Sequence, residues 1–404
     1  MSWFSKRRIY LDYASAPPVL PEALRAMREA ERLVGNPGAI HAEGVAAKKS
    51  LEGSRARIAA LLGCKAREII FTSGLTEANN LAILGTARHL QYPRSDLKGT
   101  QGPTLKNTHW IVSSIEHDSV LESFAEVERL GGRISYVEPN EHGIVTPEVV
   151  GRALTKDTMF VSVGWANNEI GVVQTLAKIA RLLRDHEKAH GTVVIFHSDA
   201  GQGPLYLPTL VHSLGVDLLS LGANKLHGPH GVGALYVSNK VSLEKIVLGG
   251  SQERGLRAGT EHLALAAGFA AAYETIARDR ESEATRLRKL RDEFAREIVA
   301  RVPGSVINGD LSRALPHMLN ISIPNISSEY VTLALDARGI AVSTKSACRE
   351  GEESRSHVVA PLGGEEWRAR NTLRFSLGRD TRKSDIRRVV ETLIRILENL
   401  KIRP

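Results

Sequence analysis

Between residues 69 and 237 the chain alternates short Val- and Ile-rich runs with segments of helical period. Few folds accommodate that alternation. The runs fall at 69–73, 110–114, 134–137, 159–163, 193–197, 216–220 and 233–237. Several are apolar nearly throughout, which suits strands covered on both faces. Helical spacing marks 76–89, 119–130, 176–189 and 208–214 between them. The pattern predicts an α/β fold around a mostly parallel sheet. Such sheets bind ligands at the carboxyl ends of their strands, so chemistry is expected just after each run stops.

The pattern changes near residue 262. Residues 283–302 form a charged helix with Leu287, Leu290, Phe294 and Ile298 on one face. Short strands are expected at 318–323, 340–343 and 372–376, with a last amphipathic helix over 384–400. These predict a smaller α+β domain. The Gly-, Pro-, Lys- and Ser-rich stretch 91–107 reads as an exposed loop. Lys+Arg 53 against Asp+Glu 45 gives +8, a weak bias over 404 residues. The basic residues of 283–302 are interleaved with Glu283, Asp292, Glu293 and Glu297, so that helix reads as a solvated face rather than a nucleic-acid contact. No run approaches the ~18 apolar residues of a membrane helix, and no targeting segment is visible. The expected location is the cytoplasm. Two cysteines cannot build a disulfide framework, which leaves the question of whether either is a reagent.

Four constellations carry chemistry. Phe71-Thr72-Ser73-Gly74-Leu75-Thr76-Glu77 ends a strand, turns at a glycine and starts a helix. Its free N–H groups and hydroxyls make an anion site, or simply a capped helix. Asp199 follows the run 193–197. A carboxylate there needs a partner: it caps a helix, or it holds the protonated ring nitrogen of a cofactor. Lys225 lies among the small residues of Leu221-Gly222-Ala223-Asn224-Lys225. A lysine behind a buried strand loses solvation and becomes a Schiff-base former, while one reaching out to water is a surface residue. Cys348 sits among charged and small residues, with Lys345 and Arg349 favouring its thiolate and Glu350, Glu352 and Glu353 opposing it. Cys64 ends an apolar helix and reads as packing. A phosphorylated cofactor with a pyridinium ring and an aldehyde needs the anion site, the carboxylate and the amine. Pyridoxal 5'-phosphate is that cofactor.

With these residues in place, the sequence resembles the cysteine desulfurases of the class V aminotransferase family, which are fold-type-I pyridoxal-phosphate enzymes. The resemblance runs from Ile9-Tyr-Leu-Asp-Tyr-Ala14 through Gly35-Asn-Pro37, Glu116-His117, Asn167-Asn-Glu-Ile-Gly171 and His197-Ser-Asp199. It continues through Gly228-Pro-His-Gly231, Glu253-Arg-Gly-Leu-Arg-Ala-Gly-Thr260, Ser346-Ala-Cys348 and Arg374-Phe-Ser-Leu-Gly-Arg379. It implies a mostly parallel seven-stranded sheet in a large cofactor domain over 15–262, and a small domain of 1–14 with 263–404 that carries the catalytic cysteine loop. Lys225 matches the Schiff-base lysine that also moves the Cα proton. Asp199 matches the partner of the pyridine nitrogen, and His117 the residue stacked on the ring. Gln202 matches the contact to the ring hydroxyl, and Asn168 a residue beside cofactor and substrate. Thr76, with Gly74 and Asn224, matches the phosphate site, to which Thr260 is contributed by the other subunit of a homodimer. Arg374 matches the fork that grips the substrate α-carboxylate. Cys348 matches the nucleophile that takes the sulfur of L-cysteine as a persulfide, leaving alanine. The distance from Cys348 to Pro361-Leu-Gly-Gly364 matches the group with a long mobile loop, which feeds an iron–sulfur scaffold or another sulfur acceptor such as a tRNA-thiolation enzyme.

The sequence departs from the family pattern at several places. Gly222 and Asn224 stand where Ser and His usually help hold phosphate, Lys345 where a small residue is usual, and Arg349-Glu350-Gly351-Glu352 where small and hydroxylic residues are usual. The stretch 91–107 is longer than is typical. Two alternatives stand beside this reading: another class V reaction, such as selenocysteine lyase or transamination, against which Ser346-Ala-Cys348 argues, and a non-catalytic relative serving as a structural partner in sulfur transfer, which only the Gly222 and Asn224 changes support.

Overall fold

The computed structural model describes residues 7–91, 104–344 and 355–401. The expected nucleophile Cys348, with Lys345, lies outside them. So does most of the loop expected at 91–107.

A two-residue strand, β1 (Ile9–Tyr10), opens the described chain. The central sheet follows: β2 (Ile69–Thr72), β3 (His109–Ser113), β4 (Arg133–Val137), β5 (Thr158–Ser162), β6 (Ile195–Asp199), β7 (Leu218–Gly222) and β8 (Gly233–Val237). These seven strands lie in the order β2-β8-β7-β6-β5-β3-β4. All pairings are parallel except those of β8, which is antiparallel to both neighbours. Successive residues of a strand face opposite sides, and here both sides are buried. Ile69, Phe71, Ile111, Val161, Phe196, Leu219 and Leu221 join one hydrophobic cluster. Ile70, Trp110, Val112, Phe160, Leu218 and Leu235 join another. The helices Ala42–Leu62 and Leu176–His190 cover the first face, and Leu75–Gln91 and Asp118–Arg129 the second. That double cover is why the strands read as continuous apolar runs.

Two strands sit two residues later than their apolar runs suggest. Val193 is 62% exposed and stays in the connection, whereas Ser198 and Asp199 are buried and paired with β7. Leu221 and Gly222 pair with Ala234 and Gly233. Hydropathy stops a strand where its side chains turn polar, but at this end of the sheet the polar side chains are the buried ones. As a result Asp199 and Gly222 are the last residues of their strands.

The remaining strands are β9 (Val306–Ile307), β10 (Met318–Ser322), β11 (Ile340–Ala341) and β12 (Thr372–Ser376). β12, β10 and β9 form an antiparallel sheet, and β11 pairs in parallel with β1. This sheet has its own cluster, in which Ile9 and Leu11 meet Leu319, Ile321, Phe375, Val389 and Leu393. The charged helix expected over 283–302 is the second half of a 39-residue helix, Leu263–Arg301. Its first half supplies Phe269 and Tyr273 to the large core, and its second half Leu287, Phe294 and Ile298 to the small one. The solvated face carries the pairs Arg286–Glu283 and Arg301–Glu297. Arg291 is an exception. It is 2% exposed and donates to the carbonyls of Ala314 and Leu315.

One buried ion pair ties the core to the site. Arg55 donates through both Nη atoms to Glu253, at 2.6 and 2.7 Å, and Glu253 Oε2 also accepts from the Phe71 N–H at 2.8 Å. Glu253 and Arg254 both hold positive φ, at 47° and 59°, a conformation that persists only where the surroundings fix it. The segment they begin brings Arg257 to Glu77, whose other oxygen accepts from the Ser73 N–H. Arg55→Met strands the Glu253 carboxylate, so unfolding in urea should show a loss of ~3–5 kcal/mol. Replacing both partners by apolar residues should cost less than that single change.

Candidate functional site

The carboxyl ends of the central strands open onto a cavity of about 440 Å³. Gly74, Thr76, His117, Asn168, Asp199, Gln202, Asn224, Lys225 and Arg374 all line it. They come from β6, β12 and the segments that follow β2, β3, β5, β6 and β7, so the fold joins residues far apart in sequence. Thr260 does not line it. It is exposed and faces a neighbouring hollow that shares Gly231 with the cavity.

Asp199 is buried at the end of β6, and both oxygens are met by amide donors. Oδ1 accepts from the Gly201 N–H at 2.8 Å and Oδ2 from Asn79 Nδ2 at 2.7 Å. Asn79 also donates to Ser119 Oγ, at 2.9 Å. The sequence signal for Asn79 was present but unused: with Leu75, Ala82 and Thr86 it lies on the apolar stripe of its helix, and it is fully buried. His197, one turn of the pleat away, bridges the hydroxyls of Ser162 and Ser220. Burial takes its ring down to about 3, so it stays neutral.

His117 caps the helix Asp118–Arg129, with Nδ1 accepting from the Ser119 N–H at 3.1 Å. An N–H donated to Nδ1 places the ring proton on Nε2. The preceding residue, Glu116, turns its carboxyl inward to accept from the Gly164 N–H at 2.7 Å. Burial raises this carboxyl to about 8; the Gly164 N–H opposes that rise, and the Asp199 charge adds to it. Glu116 lines the cavity, and the Glu116-His117 motif gives it no role of its own.

Lys225 lies in the short turn Ala223–Leu226 after β7. Its Nζ donates to the carbonyls of Ala14 at 3.0 Å and Ser15 at 2.8 Å. Gln202 Nε2 shares the Ala14 carbonyl at 2.9 Å. Arg374 reaches in from β12. Nη1 donates to the Asn168 carbonyl at 2.8 Å, and Nη2 to Asp12 at 2.9 Å and Ser15 Oγ at 2.6 Å. Cys64, by contrast, packs against the large core beyond the end of its helix, and burial pushes its thiol up to about 12. It is a poor nucleophile where it stands.

Residues 9–389 match the aminotransferase class-V family. The chain belongs to that family. It is 38% identical to the cysteine desulfurase IscS of Dictyoglomus turgidum over 98% of this chain and 96% of that relative. Among solved structures it is similar to a NifS-like protein, with a TM-score of 0.86, 30% identity, and 97% of this chain and 99% of that one covered. It is also similar to SspA, solved in complex with cysteine, with a TM-score of 0.76, 31% identity, and 91% and 98% covered. Enzymes of this family use pyridoxal phosphate, and the residues here fit that group. Gln202 Oε1 and Arg374 Nε are buried without a partner among the described residues, as atoms reserved for a ligand are. Asp199 offers a carboxylate for a ring cation. Ser73, Gly74 and Thr76 stand at the start of a 17-residue helix, where N–H groups meet phosphate.

The Gly222 and Asn224 departures belong together. A Cβ on Gly222 would lie 2.9 Å from Asn224 Oδ1 and 3.0 Å from Leu75 Cβ. The missing side chain at 222 is the room in which Asn224 sits, beside the helix start. Gly222→Ala should therefore displace Asn224. Loss of one hydrogen bond to a charged group, ~1.5–3 kcal/mol, should weaken pyridoxal phosphate binding by ~10–100-fold. Because both changes remove the same contact, Gly222→Ala with Asn224→Ala should bind the cofactor no more weakly than Asn224→Ala alone. Titration of cofactor-free protein by absorbance checks this.

Proposed function

We propose that this chain is a pyridoxal-phosphate-dependent cysteine desulfurase. It converts L-cysteine to L-alanine and leaves the sulfur as a persulfide on Cys348. One observation carries the reading: Lys225, Asp199, His117 and Arg374, drawn from distant parts of the chain, line a single cavity. A transaminase would need the amine, the carboxylate and the arginine. The Ser346-Ala-Cys348 thiol motif has no use in it.

Bound pyridoxal phosphate supplies an aldehyde for amine exchange and a ring that draws electrons from the substrate Cα. The protein's own residues do the rest. Asp199, kept in place by Asn79 and Gly201, holds the ring nitrogen in its protonated form. Gln202 meets the ring hydroxyl. Gly74, Thr76 and Asn224 hold phosphate, joined by Thr260 of a second copy in a homodimer. Arg374, braced by Asp12 and Ser15, grips the substrate α-carboxylate beside Asn168. Lys225 would hold the cofactor through its amine and would move the Cα proton. His117, with its proton on Nε2, would stand beside the ring and hold a proton for the leaving sulfur. Cys348 Sγ attacks the substrate sulfur: the S–S bond forms and the C–S bond breaks. A proton then completes the alanine methyl group. The balance is L-cysteine plus thiol to L-alanine plus persulfide, with no outside oxidant.

Two domains would share this work, 15–262 around the cofactor and 1–14 with 263–404 bringing Arg374 and Cys348. Among the described residues no helix is long and apolar enough to cross a membrane, and the protein works in the cytoplasm. The acceptor of its persulfide is an iron–sulfur scaffold or another sulfur-carrying protein.

Purified protein should be yellow and should release alanine from L-cysteine. Lys225→Ala should lose the visible absorbance of the bound cofactor. Cys348→Ser should keep that absorbance while alanine formation falls by at least ~100-fold. Undiminished turnover in Cys348→Ser would remove Cys348 from the reaction. A colourless wild type that cannot be reconstituted would overturn the whole reading.

A further inference from the structure

Glu116 is a cavity residue that the reaction above leaves without a task. It stands at the crossing of several elements. Its carboxyl accepts from the Gly164 N–H at 2.7 Å, in the turn after β5. A Cβ on Gly164 would lie 2.7 Å from Glu116 Oε2, so the carboxyl fills the space of the side chain that Gly164 lacks. The next residue of that turn, Trp165, donates its N–H to the Asp199 carbonyl at 2.9 Å. The Glu116 main chain faces the other way. Its carbonyl accepts from His357 Nε2 at 2.9 Å, and Ile115 packs with Val358, Val359 and Leu362. His117, the next residue, enters the cavity. The residue thus meets three neighbours: its side chain meets the Gly164 turn beside Asp199, its carbonyl meets His357, and the chain it belongs to leads into His117.

Its surroundings select one form of the acid. The groups facing it are the Gly164 N–H, the Ser113 hydroxyl and the Asp199 carboxylate, with His117 beside it and His357 on its main chain. Among the described residues none of those partners is a lysine or arginine, although Lys225 and Arg374 line the same cavity. A second full negative charge there would be buried beside Asp199, and a buried pair of like charges keeps a proton on one member.

We propose that Glu116 is a positioning residue that works as a neutral carboxylic acid, leaving Asp199 as the charge partner of the ring nitrogen. The acid would hold the Gly164 turn and so anchor the backbone that leads into His117 and accepts from His357. The role deepens the reading under Proposed function, but its first test stands without it.

That test is the pH dependence of folding. Burial holds the Glu116 carboxyl at about 8, against 4.5 when unperturbed. The folded chain then binds a proton that the unfolded chain has released between those values. Stability from this group is full below about 4.5, falls as pH rises, and is lost by about 8. Unfolding of the full-length protein, as purified, should be compared with that of Glu116→Gln from pH 5 to 8. The folding equilibrium of the wild type should fall relative to the variant by up to about tenfold per pH unit. Parallel profiles would overturn the proposal. The second readout is turnover. Glu116→Gln keeps the shape and the neutral charge, so its kcat and KM for L-cysteine at pH 7 should stay within about threefold of wild type, while Glu116→Ala loses at least tenfold in kcat. A folded, yellow Glu116→Gln protein as impaired as Glu116→Ala would show that the carboxylate is the working form and would sink the idea. If wild type makes no alanine, the desulfurase reading fails, and the folding profiles alone decide on Glu116.

Discussion

A charge taken out of water costs several kcal/mol unless a partner meets it, and this chain gathers its charges at the buried carboxyl edge of one sheet. Each is met in its own way. Asp199 is held by amide donors, Lys225 by main-chain carbonyls, and Arg374 by Asp12, Ser15 and a carbonyl. Glu116, which makes no ion pair among the described residues, keeps its proton. The Arg55–Glu253 pair and the Arg257–Glu77 pair extend the same arrangement to the helix start where phosphate would sit. The shape of the cavity follows from these pairings more than from the apolar core beneath it.

Much of this was legible in the residues. The central strands were readable because helices cover both faces and leave nearly pure apolar runs. Their ends were not, since hydropathy breaks where the buried side chains become Ser198, Asp199 and Gly222. Lys225 and Asp199 stood out because each follows a strand among small residues. Arg374 did not: it lies inside β12, and only the family resemblance singled it out. Asn79 and Glu116 were missed for the opposite reason, being ordinary polar residues in sequence whose meaning comes from what folds against them.

The departures from the family pattern look different in three dimensions. Read along the chain, Gly222 is a lost hydroxyl. In the fold it is the clearance that lets Asn224 lie beside Leu75 at the helix start. Two substitutions that seem to weaken the site separately describe one repacking, and the buried partnerless atoms of Gln202 and Arg374 remain in place around it.

The helix Leu263–Arg301 has a mechanical consequence. Its early residues belong to the large core and its later ones to the small core, with no break in the ladder between them. A rod shared in this way cannot be divided at its middle without leaving each core short of a wall. Although the described residues form separate large and small cores, the chain is poorly suited to being expressed as two separate halves or permuted within that rod. Any motion between the sheets has to bend the helix or pivot at the connections on the opposite side.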